Sequence, residues 1–195
     1  MDFATLKSRI LAVIGRAPAD ICYELTTADI NRDLRLRTME TTATSAEAAS
    51  ITLPTDFAEV IDVYRDSSPR TILRPTSTLS LSADYPLSTG VPSEYAISGT
   101  TLLLSPSPSG TTNIKIRYYA KLTDLSADSD TNTVLTRFPD VYLYGSLSHH
   151  SVLIRDEKAA MMWTAKYQEA VRKANASDAS SRYAAGFKVA VPYHA

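Results

Sequence analysis

At 195 residues, with 44% hydrophobic and 21% charged residues, the chain is long enough for one domain, or for a core with a sizeable insertion. A formal net charge of −1 argues against general attraction to nucleic acid or acidic membranes, and a single cysteine, Cys22, excludes an intramolecular disulfide framework. No apolar run approaches the roughly 18 residues a membrane span needs, and Lys7 and Arg9 lie inside an amphipathic pattern, so neither a span nor a signal peptide is expected. A soluble protein of a reducing compartment is the expectation.

The first predicted element is a helix from about Asp2 to Arg16. Phe3, Leu6, Ile10, Val13 and Ile14 recur at steps of three and four, Asp2 suits the N-cap, and Gly15 and Pro18 end it. A second helix is predicted from Thr26 or Thr27, with Asp29 in its first turn and Leu25, Ile30 and Leu34 on its buried side. Arg32, Arg35 and Arg37 form a candidate basic face for a channel or an interface, with a solvated helix face as the plainer reading. Thr41–Ser50, rich in Thr, Ala and Ser, reads as a linker or mobile loop.

From Ser50 to about Ala120 the pattern turns to β. Ile51–Leu53, Val60–Tyr64 and Thr71–Leu73 are candidate strands, and the Ser/Thr-rich stretch from Thr76 to Gly90 reads as a long loop, with any helical turn brief. Tyr95 and Ile97 alternate with small or polar residues, Gly99-Thr100 permits a reversal, and Leu102–Leu104 opens a second run, which together predict a β-hairpin. The prolines that follow, Pro106 and Pro108, cannot continue a sheet interior. Asn113–Ala120 is a last strand with Ile114, Ile116 and Tyr118 on one face and Lys115 and Arg117 toward water.

Helical periodicity returns after a polar loop from Thr123 to Asn132. Pro139 fits a first turn, Val141, Tyr144 or Gly145, Ser148 and Val152 give a narrow buried face, and Asp156 caps a long helix striped by Trp163, Tyr167, Ala170, Val171 and Ala174. The short link between them predicts an αα-hairpin. After Asn175 the period fades, and Phe187, Val189, Val191 and Tyr193 alternate as one face of an extended strand. With Tyr183 they form a candidate docking tail, added to a neighbouring subunit or partner by β-augmentation; a last strand on its own domain is the plainer reading.

The fold expected is α+β: a helical core, made of two N-terminal helices and a C-terminal helical hairpin, with an inserted small antiparallel β domain and an extended C-terminal tail. The corresponding boundaries are 1–49 for the N-terminal helices and linker, 50–122 for the β insertion, 123–178 for the hairpin and 179–195 for the tail.

Reactive constellations are missing from the sequence. Asp128, Asp130 and Asn132 open like a calcium loop, but Thr133 replaces the required Gly and Pro139 the bidentate Glu. His149 and His150 point about 100° apart on a helix, so they do not share a metal. Cys22 beside Ile21 and Tyr23 looks like a small buried hydrophobe, and Asp56 with Glu59 or Asp156 with Glu157 shows no acid/base spacing. Neither catalysis, nor a cofactor, nor a bound metal is expected.

Several blocks of sequence resemble tailed-bacteriophage head-to-tail adaptor (connector) proteins. They are Leu53-Pro-Thr-Asp-Phe57 with Glu59, Pro92–Gly99 with Leu102, Leu104, Pro106 and Pro108, Tyr118-Tyr119 with Leu125-Ser126, Phe138–Gly145, and Trp163 with Tyr167, Ala170 and Asn175. Their order and spacing over residues 50 to 175 carry the resemblance. It implies a structural virion protein of the neck, made in the host cytoplasm, that forms a twelvefold ring with itself beneath the portal protein. Such a ring extends the DNA channel without sequence-specific binding and gives tail, nozzle or stopper proteins their platform. The family's C-terminal segments often climb onto the portal, which would make that protein the partner of the tail. Two alternatives stay open: another neck protein such as a stopper, and a β-sandwich ligand-binding module presenting Tyr85, Tyr95, Tyr118 and Tyr119.

Overall fold

The computed structural model describes residues 1–84 and 88–183, the side chains of 82–84 and 181–183 excepted. The chain divides into two compact units, a helical one formed by Met1–Thr38 with the chain from Leu122, and a β unit formed by Met39–Lys121. An α+β architecture with β structure inserted between helical segments is therefore the fold.

The helical unit contains α1 (Phe3–Ile14) and α2 (Asp20–Asp33), then, after the insertion, α4 (Thr133–Arg137), α5 (Pro139–Leu153) and α6 (Glu157–Tyr183); α3 (Thr78–Asp84) belongs to the β unit. Capping sets α1 as expected. Asp2 accepts the Thr5 N–H at 2.9 Å, and Gly15, at φ +71°, donates its N–H to the Leu11 carbonyl. Phe3, Leu6 and Ile10 are buried, whereas Val13, expected on the same stripe, is exposed. α2 begins at Asp20, nearly two turns earlier than expected and just after Pro18. Thr26 and Thr27 look like capping residues, but their hydroxyls turn back onto the Cys22 and Tyr23 carbonyls, at 2.6 and 3.1 Å, inside the helix.

α5 packs against each of the other four helices of the unit. Gly145 makes this possible: a Cβ there would stand 2.6 Å from Thr26 Cγ2 and 3.3 Å from the Tyr167 ring. Backbone therefore meets side chain directly where α2, α5 and α6 cross. α6 starts from Asp156, whose carboxylate accepts the Ala159 N–H at 3.0 Å, and completes the expected αα-hairpin. It runs on to Tyr183, so residues 179–183, assigned from sequence to the extended tail, are helical. Ala and Ser carry no strong stripe, yet Asp178, 6% exposed, reaches back from this segment to accept the Arg37 N–H at 2.9 Å.

Among the described residues the β unit carries ten strands: β1 (Glu40–Ala46), β2 (Ser50–Thr52), β3 (Phe57–Arg65), β4 (Thr71–Ile72), β5 (Arg74–Pro75), β6 (Thr89–Gly90), β7 (Glu94–Ser98), β8 (Thr101–Ser105), β9 (Ser107–Pro108) and β10 (Asn113–Ala120). They form sheets ordered β1-β10-β3-β4 and β2-β8-β7-β5, with a small β6-β9 pair beside them. Ile51, Val63, Leu73, Tyr95, Leu102, Leu104, Ile114, Ile116 and Tyr118 from both large sheets make one buried cluster, the filling of a sandwich. The predicted hairpin is β7–β8, with Gly99 at φ +58° closing the two-residue turn between Ser98 and Thr101.

One local expectation is corrected and two are filled in. Thr41–Ser50 is not a linker: β1 pairs along β10 from Glu40↔Tyr119 to Ala46↔Asn113. Its Thr-Thr-Ala-Thr-Ser-Ala sequence hides the strand because no face is strongly apolar, although β-branched threonine suits a pleated edge. The β5–β7 and β6–β9 pairings are parallel, so the insertion is not wholly antiparallel. Within Thr76–Gly90, Ser77 Oγ accepts the Ser80 N–H at 3.0 Å at the start of α3.

Candidate assembly surfaces

The acidic loop before α4 spends its carboxylates on itself. Asp130 accepts the Ser126 and Ala127 N–H groups at 2.9 and 2.8 Å, bonds that hold its pKa below the usual carboxylate value. Asp128 pairs with Lys7, and Asn132 caps α4 through the Leu135 N–H at 2.8 Å. Among the described residues, no three His, Cys, Asp or Glu side chains converge to hold a metal ion.

The two histidines part ways. His149 Nε2 lies 2.8 Å from Asp29 Oδ2 on α2. His150 is 4% exposed, its Nε2 has no hydrogen-bond partner among the described residues, and burial, then the nearby Arg16 charge, lowers its pKa below the usual imidazole value. Tyr167 donates to Asp33 Oδ2 at 3.1 Å, and its burial together with that carboxylate raises the phenol pKa strongly. These are packing contacts between helices rather than a reactive constellation.

The candidate basic face is largely occupied. Arg32 forms an ion pair with Asp29, and Arg35 folds back to donate to the Asn31 and Leu34 carbonyls at 2.9 and 2.7 Å, neutralising the C-terminal end of α2. Arg37 lies in a 3-10 turn, Arg37–Met39, with its side chain exposed. Of the docking-tail candidates, Tyr183 is the last residue of α6, while Phe187, Val189, Val191 and Tyr193 fall outside the described residues. The aromatic platform imagined for a ligand-binding sandwich is not assembled: Tyr95 and Tyr118 are 5% and 4% exposed, and Tyr85 lies outside the described residues. Tyr118 instead donates to Asp56 Oδ1 at 2.9 Å, and burial, then this bond, pushes its pKa up to about 12.

What the helical unit does expose is hydrocarbon. Val152, Leu153, Ile154, Met161 and Met162 all stand in solvent around the turn between α5 and α6, with Leu11 and Val13 on α1 and Ile21 and Leu25 on α2. The turn itself passes through Arg155 at φ +60° and borders a pocket of about 310 Å³ lined by Ser151, Val152, Asp156 and Ala160. Val152, expected on the buried face of α5, instead stands in solvent with Leu153 and Ile154, because the helix ends here and α6 turns away. Several large apolar side chains exposed about one turn make this a candidate contact surface.

The insertion's two connections are tied down by side chains of the helical unit. Asn31 holds Leu122 from both sides, accepting its N–H at 2.8 Å and donating to its carbonyl at 3.4 Å, while Asp178 holds Arg37. Within the β unit, Arg65 forks onto Glu47, whose side chain is fully buried, with Nε–Oε1 at 2.7 Å and Nη2–Oε2 at 3.3 Å. Thr112 closes this clasp by donating its N–H to the same carboxylate, and Gly110 lies against it too closely for a Cβ. A pairing across such sequence separations leaves no periodic trace.

A surface of apolar and interface-like features without reactive chemistry fits a protein that works by assembly. A family model described as SU10 adaptor protein matches residues 1–189. The chain belongs to the SU10 adaptor family. This is a family of phage head-to-tail adaptors, and membership makes the adaptor a structural phage protein of the virion neck. A search of the curated proteins finds no match. The family match spans both the helical and the β unit, so the insertion is part of the adaptor and not an added module.

Proposed function

We propose that copies of the adaptor assemble into a closed ring, twelvefold as in the phage adaptors it resembles, that stacks beneath the portal, extends the DNA channel and gives tail proteins their attachment platform. The observation that carries this reading is the exposed apolar turn between α5 and α6, because an isolated soluble subunit gains nothing from presenting Val152, Leu153, Ile154, Met161 and Met162 to water. A closed ring needs heterologous contacts, one side of each subunit meeting a different side of the next. DNA passes through without being read, in keeping with a net charge of −1 and with Arg32 and Arg35 engaged inside their own chain. Before assembly the chain resides in the host cytoplasm.

The test is to mix the purified chain with portal rings of the same phage and image the mixture by electron microscopy. A closed ring on the narrow face of the portal is the expected result. Free portals beside folded, unbound chain would overturn it in favour of a neck protein that joins later.

A further inference from the structure

Most edges of the two large sheets are short or interrupted. β2 is three residues long, β4 and β5 are two each, and β5 contains Pro75. β3 is only partly covered by β4, but its pairing with β10 is broken by register shifts at Arg117/Tyr118 and Tyr119/Ala120, irregularities that spoil an edge for further pairing. β1 is the exception: seven residues, Glu40–Ala46, pair in unbroken register with β10 and end the sheet order. It contains no Pro or Lys, and from Thr41 to Ala46 no charge.

The direction of its backbone groups follows from the ladder. Glu47 N–H donates to the Thr112 carbonyl at 3.1 Å, extending the β1–β10 register by one pair. In an antiparallel pair, hydrogen-bonded and non-bonded positions alternate. The backbone N–H and C=O of Thr42 and Thr44 therefore point away from β10, along an edge that no other described strand covers. On the core side β1 offers only Thr41, Ala43 and Ser45, small side chains of which Ala43 packs against the buried cluster. A neighbouring strand with large apolar residues on that side would cover the flank of the sandwich.

We propose that β1 is the acceptor for an added strand, and that the strand is the Phe187–Val191 segment of a neighbouring copy. This rests on the ring reading and makes the adjacent subunit, rather than the portal, the partner of the C-terminal segment. Phe187, Val189 and Val191 alternate over five residues, and Pro192 removes the next donor, so the segment has one apolar face and a defined end. Such a strand has no stability alone and needs an edge. The residues from 184 to 195 reach about 40 Å when extended, enough to leave their own subunit from the end of α6 at Tyr183. Donation from each copy to the next is heterologous and closes with the ring. The face of the strand carrying Lys188 and Ala190 lies on the outer side of the sheet, beside Thr42 and Thr44.

The experiment places cysteines at Thr44→Cys and Ala190→Cys in the full-length chain, assembles it on portal rings, confirms the ring by electron microscopy and adds a short bis-maleimide. Cys22 is buried and stays silent. The expected result under denaturing electrophoresis is a ladder of adaptor multimers, absent from either single-cysteine variant and lost when Val189→Pro is added. A cross-linked monomer of altered mobility would mean the segment folds onto its own chain and overturns the proposal. An intact ring without cross-links, including one in which Ala190→Cys links to the portal, also overturns it while leaving the ring in place. Failure to form any ring removes both readings together.

Discussion

Polar side chains share the core of the helical unit with apolar ones such as Leu6, Tyr23 and Tyr142, whereas the β unit keeps its buried cluster apolar and its strongest polar contact at a rim. Thr26, Thr27, Ser146, His150 and Ser151 are all buried among the helices; Thr26, Thr27 and Ser151 bond back to helix carbonyls, and a crossing as close as Gly145 on Thr26 favours such small side chains. The sandwich fills its interior with Ile, Leu, Val and Tyr, and ties its loops with the Glu47–Arg65 clasp. The contrast separates two ways of failing: by clash or a stranded charge in one unit, by cavity or a broken rim in the other.

Trp163, the chain's one tryptophan, lies on α6 and makes the contrast measurable. Its fluorescence follows the helical unit in urea, while circular dichroism follows both. The largest effect is expected from Glu47→Ala, which leaves Arg65 half-enclosed without its partner and should cost about 4 kcal/mol of β-unit stability. The dichroism transition should move to lower urea while the Trp163 transition holds its midpoint. Coincident shifts in both probes would show that the units unfold as one. Next is Ile116→Ala at the centre of the sandwich, where the transfer and cavity costs together reach about 3 kcal/mol, with the same split between probes.

Gly145→Ala reverses the pattern. Its Cβ would meet Thr26 Cγ2 at 2.6 Å, so about 2 kcal/mol should be lost from the Trp163 transition. Thr26→Ser, which removes the clashing methyl and keeps the hydroxyl, should restore part of it; no restoration would mean the strain lies elsewhere.

A pH titration sharpens the difference further. His150 is held neutral by burial and by Arg16, so its folded pKa lies below the unfolded value of about 6.5. Its contribution is complete above that value and is lost as pH falls from there through the folded pKa. Helical-unit stability should decline as pH falls below about 6.5, and His150→Gln should flatten that slope while leaving the β unit unchanged. At the small end, Arg32→Ala breaks only an exposed ion pair and should change stability by no more than about 0.5 kcal/mol in either probe.

The sequence by itself determined the elements whose residues repeat with a clear period or carry their own punctuation. α1 with Asp2 and Gly15, the hairpin around Gly99, β10 with its alternating isoleucines, and the α5–α6 pair opened by Pro139 and Asp156 were all legible, since each depends on neighbours in the chain. The adaptor resemblance was legible for the same reason, as ordered blocks of such elements. Tertiary structure decided the rest. β1 is a strand because β10 pairs with it, and α6 reaches Tyr183 where Ala and Ser alone would not have carried it. Threonines that resemble caps at the start of a helix lie inside α2, because α5 packs where Gly145 admits them. The exposed hairpin turn and the Glu47–Arg65 clasp were also hidden, for both depend on what distant residues leave uncovered or bring together. Local periodicity records which face of an element is apolar, and only packing decides what that face meets.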